Sequence, residues 1–148
     1  MYVYEDNGIV IQDDEKIVVD PHRKRVDADR IFVSHAHSDH VNIGAKNPST
    51  YYMTSPTHGL VEKKIPLAAI WEKLNYKLHV HGEQHKISLV NSGHIWGSAQ
   101  IVVEGEKKVV VTTDMKLQDS IIQKGAEIVP CDILVIESTF GKKEFSFN

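Results

Sequence analysis

The chain has one cysteine, Cys131, in 148 residues, so no internal disulfide can form. That agrees with a reducing compartment, and a cytoplasmic location is the expectation. No apolar run approaches the ~20 residues of a membrane span, and the N-terminus lacks a charged-then-apolar signal pattern. An excess of positive charge is also missing. Seventeen Lys and Arg against twenty Asp and Glu leave a net charge of −3, which argues against a generic, electrostatically driven nucleic-acid binder. It does not exclude a nuclease, because bound cations offset acidic ligands locally. Repeats, low-complexity segments and linkers are absent too, so one domain over 1–148 is expected.

What the chain does have is histidine, nine in all, and three of them fall in Ser34-His35-Ala36-His37-Ser38-Asp39-His40. This stretch follows the apolar run Arg30-Ile31-Phe32-Val33, which reads as a buried strand. His35 and His37 are two apart, so in extended backbone both leave on the same side. Asp39 and His40 break that period and need a turn. One segment thus offers two pairs of ligands, which suits two adjacent metal ions. Imidazole with carboxylate suits zinc, and two-metal sites hydrolyse phosphate esters.

The rest reads as layered α/β architecture. Gly8–Ile11 and Lys16–Asp20 flank a polar turn and predict a hairpin. Tyr51–Thr54 predicts a short strand, and Ser55-Pro56 a helix start leading a helix to Lys64. Leu67, Ile70, Trp71 and Leu74 recur at helical spacing and predict a second helix. Further strands are expected at Ile87–Val90, Ala99–Val103, Lys108–Thr113 and Asp132–Glu137, with a polar helix over Leu117–Lys124. Strand after strand ends in a ligand-capable residue: Asp20, His35, His94, Asp114 and Glu137. Such ends can converge on one edge of a sheet. His94 lies between Gly93 and Gly97, where backbone can turn tightly. His79, His81 and His85 read as an exposed hairpin around Gly82 rather than an accessory metal site, and His22 and His58 as surface residues. The basic clusters Arg23–Arg25, Lys63-Lys64, Lys107-Lys108 and Lys142-Lys143 read as solvated turns, and Cys131 as a small residue at a strand entrance.

Taken in order, His35–His40, Ser92-Gly93-His94-Ile95-Trp96-Gly97-Ser98-Ala99-Gln100, Asp114 and Glu137-Ser138-Thr139-Phe140-Gly141 resemble metallo-β-lactamase-fold nucleases of the β-CASP group. The likeness is to RNA 3′-end processing factors and ligase-associated DNA exonucleases. The histidine segment marks only the wider superfamily; the Gly-His-x-x-Gly-Ser and Glu-Ser-Thr-Phe-Gly segments narrow it to nucleic-acid phosphodiesterases. The resemblance implies an αββα sandwich and two zinc ions. It places the first zinc on His35, His37 and His94, the second on Asp39 and His40, and Asp114 between them. Asp20 would orient a ligand, Asp39 the attacking water, and Glu137 would pair with a later histidine that protonates the leaving group. Thr113 stands where the family usually has glycine. The last zinc ligand and the leaving-group histidine belong, by resemblance, to parts beyond Asn148, so the chain is expected to be a first half, incomplete at its C-terminal end. Apolar surface bared on the second sheet would then be covered by a homodimer or a complementing chain. The substrate implied is RNA or single-stranded DNA. A small-molecule hydrolase of the same superfamily, or an inactive metal-binding module needing a partner, are the other readings.

Overall fold

The computed structural model describes residues 1–45, 47–139 and 141–142. Its secondary structure is mixed α/β, with two sheets and, among the described residues, one α-helix. The first sheet holds β1 (Tyr2–Glu5), β2 (Ile9–Gln12), β3 (Lys16–Val19), β4 (Arg30–Phe32), β5 (Thr50–Met53) and β6 (Trp71–Lys73) in that order. The second runs β11 (Ile133–Val135), β10 (Lys108–Val111), β9 (Ala99–Glu104), β8 (Lys86–Asn91), β7 (His79–His81).

Strand alternation builds the core. Ile11, Ile17, Val19, Phe32 and Tyr52 of the first sheet meet Ile87, Leu89, Ile101, Val103, Val109 and Val111 of the second in one buried cluster. The intervening residues Val10, Val18, Ile31, Tyr51 and Met53 face the other way. There Val26 and Ile43 from loops cover them, together with Val61 of α1 (Ser55–Val61). The centre of the first sheet, β2 to β5, is therefore buried on both faces, which explains the near-continuous apolar runs of β3 to β5.

Two expected helices do not form. In the first stretch Leu67 is fully exposed and Ile70 half exposed, so that helix would bury no apolar stripe. Trp71–Lys73 instead pairs in parallel with β5 and supplies a sixth strand. In the second stretch polar side chains take over the backbone groups a helix needs. Ser120 Oγ accepts from Gln123 N at 3.2 Å, and Asp119 Oδ1 accepts from Gly125 N at 2.9 Å. The helix at 55 does form, but it is α-helical only to Val61 and continues to Lys64 as a 3-10 turn; Thr54, not Ser55, is its N-cap and accepts from Thr57 N at 3.2 Å. His58 is another correction. It is buried, its ring tilted 33° against that of Trp71 with centroids 3.9 Å apart.

Strand direction decides where the site lies. β3, β4 and β5 are mutually parallel. β8 and β10 both run antiparallel to β9, and β11 runs parallel to β10. The C-terminal ends of β8, β10 and β11 therefore share one edge of the second sheet. Ala99 N, just past the β8–β9 loop, donates to Ser34 O at 2.9 Å and ties that edge to the end of β4.

Candidate metal centre

Four side chains from three segments meet at this edge. Nε2 of His35 lies 3.0 Å from Nδ1 of His37, and Nε2 of His94 lies 3.2 Å from the same atom. Asp114 Oδ2 is 3.7 Å from His35 Nε2 and 3.5 Å from His94 Nε2. All four ligand atoms fall within 4.8 Å of one another. A tetrahedral zinc ion with bonds near 2.0–2.1 Å needs ligand atoms about 3.3 Å apart. The observed separations bracket that value.

The tautomers can be worked out. Asp20 accepts from Ser34 N at 2.8 Å and, through Oδ2, from the Ser34 hydroxyl at 2.5 Å. A carboxylate only accepts, so the Ser34 proton is committed to it. Ser34 Oγ must then accept from Nδ1–H of His35, 2.8 Å away. The Nε2 lone pair of His35 is left pointing into the cluster. Asp20 Oδ2 also lies 2.8 Å from Nδ1 of His40, which likewise frees His40 Nε2. One carboxylate thus sets two imidazoles.

The charges follow the same logic. His35 is fully buried, and burial above all, with the neighbouring His40, pushes it down to about 4. It is neutral and ready to ligate at pH 7. Burial lowers His94 too, against the pull of Asp114. For His40 burial also opposes the charge, but the hydrogen bond and charge of Asp20, with Asp114 and Asp39, outweigh it and raise the ring above the usual value.

No family model matches the chain. It is similar to curated proteins in two archaea and a slime mould. "Probable RNase MJ4" of Methanocaldococcus jannaschii is 32% identical over 78% of this chain and 35% of that protein. "RNase aCSPSF2" of Saccharolobus solfataricus is 34% identical, over 74% and 28%. "Cleavage and polyadenylation specificity factor subunit 3" of Dictyostelium discoideum is 29% identical, over 78% and 19%. The chain spans about a third or less of the length of these relatives. Two of the three carry the name RNase.

The remaining site residues lie beside the four-ligand cluster. His40 Nε2 is 3.5 Å from Asp39 Oδ2 and 3.9 Å from Asp114 Oδ2. Asp114 therefore sits between the two groups, and Asp39 is the open side, its side chain 80% exposed. Glu137 does not approach a histidine nitrogen in the same way. Its Oε1 accepts from Met115 N at 2.8 Å, which clamps the turn that carries Asp114. Burial opposes ionisation of Glu137, yet that bond and those from Thr139 hold its carboxyl below the usual range. Phe140, in the same motif, and Lys143 lie outside the described residues.

Two side chains to which the motifs assign no role, Ser98 and Tyr51, hold the loops in place. Ser98 Oγ accepts from the backbone N–H of His94 and Ile95, both at 3.1 Å. Tyr51 OH accepts from Gly44 N and Asn47 Nδ2, both at 3.0 Å, behind the histidine loop. Gly93 has φ +72°, and a Cβ there would lie 2.2 Å from Lys116 O. Thr113 also sits in the left-handed region, at φ 52°. A cavity of about 330 Å³ opens beside the cluster, lined by Asp20, Asp39, His40, Asp114 and Glu137 together with the apolar Ile9, Val19, Val111 and Val135.

Proposed function

We propose that this chain is the metal-binding portion of a zinc-dependent phosphodiesterase that cleaves RNA or single-stranded DNA, with the metallo-β-lactamase fold of the β-CASP group. The observation that carries the reading is the convergence of three imidazole nitrogens and Asp114 Oδ2 at separations of 3.0 to 3.7 Å. The RNase names of two relatives support the substrate class. Two sheets sharing one core agree with the middle layers of an αββα sandwich.

In this reading His35, His37, His94 and Asp114 hold one zinc ion, and Asp39, His40 and the shared Asp114 hold a second. Bound there, the ions supply a nucleophile from water near pH 7 and positive charge for the phosphoryl oxygens. The need for them is electrostatic. The cavity is lined by the carboxylates of Asp20, Asp39, Asp114 and Glu137, which repel a phosphodiester unless cations offset them. Asp39, on the open side, would orient the attacking water. Asp20 keeps the His35 and His40 lone pairs directed inward. Glu137 holds the Asp114 turn in place from behind. A cytoplasmic setting is part of the proposal.

Among the described residues the second position has only Asp39, His40 and the shared Asp114. One variant of the reading has a homodimer partner or a complementing chain add a ligand at this position. Labelled RNA incubated with the chain and zinc tests both. Cleavage abolished by chelator, or cleavage that appears only with a complementing chain, is expected. Wild-type metal content in His37→Ala would refute the whole assignment.

A further inference from the structure

A second cluster lies at the opposite end of β3. Asp13, Asp14 and Glu15 form the turn between β2 and β3, and His85 reaches them from the start of β8 in the other sheet. Nδ1 of His85 is 2.8 Å from Asp14 Oδ1 and 3.9 Å from Asp13 Oδ2. Nε2 faces Glu15 Oε2 at 3.5 Å. The residue is 5% exposed, and Nε2, itself fully buried, makes no hydrogen bond.

A neutral imidazole cannot satisfy this surround. It carries one proton, and both of its nitrogens face carboxylates. Whichever nitrogen lacks the proton sets a lone pair against an anion. Nearby positive charge is already engaged. Arg30 forks onto Glu15 at 2.7 and 3.0 Å, and the Met1 amino group lies 3.7 Å from Asp13. The hairpin holds the ring down, since a Cβ at Gly82 would lie 2.6 Å from His85 Cε1.

We propose that Asp13, Asp14 and Nδ1 of His85 bind a zinc ion, independently of the histidine centre. The three ligand atoms already fall within 4.8 Å of one another, and separations of 2.8 and 3.9 Å straddle the roughly 3.3 Å a tetrahedral ion needs. With the ion on Nδ1 the ring proton resides on Nε2 and faces the Glu15 carboxylate, 3.5 Å away, in place of a lone pair. That relieves the buried nitrogen and forms the carboxylate–histidine–metal arrangement that fixes a ligating ring. One imidazole with carboxylates selects a borderline ion over magnesium or calcium. The stretch from Asp14 to Asp20 spans about 20 Å at strand rise, so this ion takes no part in chemistry at the other edge. It clasps the β2–β3 turn of one sheet to the β7–β8 hairpin of the other.

The test counts zinc. Asp14→Asn preserves side-chain shape, and its circular dichroism should match wild type. Equilibrium dialysis of the full chain against zinc, with metal analysis, should show one equivalent fewer in Asp14→Asn than in wild type. In wild-type chain, ¹⁵N shifts of the His85 ring should show a metallated Nδ1 and a protonated Nε2 once zinc is added. Equal zinc content in the two proteins overturns the proposal. So does a His85 ring protonated on both nitrogens at pH 7.5 under saturating zinc, which would make the imidazolium itself the balancing cation. Both readouts are independent of whether the histidine centre cleaves RNA.

Discussion

Asp20→Asn is the sharpest probe of the histidine centre, because it changes one atom and reverses a chain of donors. Asp20 accepts three hydrogen bonds, from Ser34 N, Ser34 Oγ and His40 Nδ1. With an amide, Oδ1 still accepts from Ser34 N, but Nδ2 now donates where Oδ2 accepted. Ser34 Oγ must turn its proton toward His35 Nδ1, and His40 Nδ1 loses its acceptor. Both ring protons then move to Nε2, the nitrogens that face Asp114 and Asp39. Loss of such an orienting partner weakens metal binding by about 10–100-fold, or roughly 1.4–2.7 kcal/mol. Here two rings are affected, so the upper end is expected. Zinc affinity measured by chelator competition gives the magnitude, and ¹⁵N-edited spectra of His35 and His40 in the metal-free chain give the tautomers. An affinity within threefold of wild type, with the tautomers unmoved, would refute the argument.

Acid should weaken the metal-free chain through His35. Its pKa falls from 6.5 unfolded to about 4 folded, so its contribution is intact above pH 6.5 and lost as pH falls toward 4. The loss is up to about 3 kcal/mol. His40, raised, contributes in the opposite sense: its share is present below pH 6.5 and lost as pH rises through its folded value. Urea unfolding in chelator from pH 7.5 to 4.5 reads the sum, and stability that climbs toward pH 4.5 would contradict the burial of His35. Thr113→Gly should stabilise the fold by about 0.5–1 kcal/mol, since left-handed backbone costs a non-glycine residue about 1–2 kcal/mol and glycine returns part of that as entropy. A loss above 1 kcal/mol in urea titration would show that the Thr113 hydroxyl, which donates to nearby carbonyls, outweighs the strain. Gly93→Ala should displace the His94 loop and lose zinc at that centre; retained zinc stoichiometry would argue against the loop geometry. Leu134 and Ile136, 53% and 59% exposed at and just beyond β11, should drive association that Leu134→Asp with Ile136→Asp removes. A monodisperse wild-type monomer in sedimentation would refute that.

β2 to β5 and β8 to β11 were legible because their apolar runs are bounded by turn residues, whereas the mostly exposed β1 gave no such signal. The approach of His35 to His37 was legible because their spacing puts both on one side of extended backbone, whereas His94 and Asp114 were placed with them only through the family resemblance. The false helix over Leu67–Leu74 shows where periodicity fails. Four apolar residues at helical spacing make a stripe only if something packs on it, and the open edge of β5 offers Trp71–Lys73 a full set of backbone bonds instead. Leu117–Lys124 fails for a different reason: it is rich in side chains that compete locally for backbone groups. Neither competition is visible without the partner segment.

Asp20 and His85 mark the deeper limit of spacing arguments. Asp20 reads as a residue ending a strand, and Ser34 as the plain start of a histidine run. Their coupling exists because β3 and β4 are parallel, with Val19 opposite Phe32, so Asp20, the first residue past β3, lies beside Val33 and Ser34 as the chain leaves β4 and bonds Ser34. Once that register is fixed, a carboxylate at 20 and a hydroxyl at 34 must meet, and the His35 proton follows from their chemistry. His85 is the same case across the two sheets. In sequence it belongs with His79 and His81 on a hairpin, whereas in the fold it alone turns inward. A buried ring between carboxylates needs a cation, whichever sheet each group came from. The chain therefore builds cation demand at both ends of β3, by a shared ligating set at one and by an unsatisfied imidazole at the other.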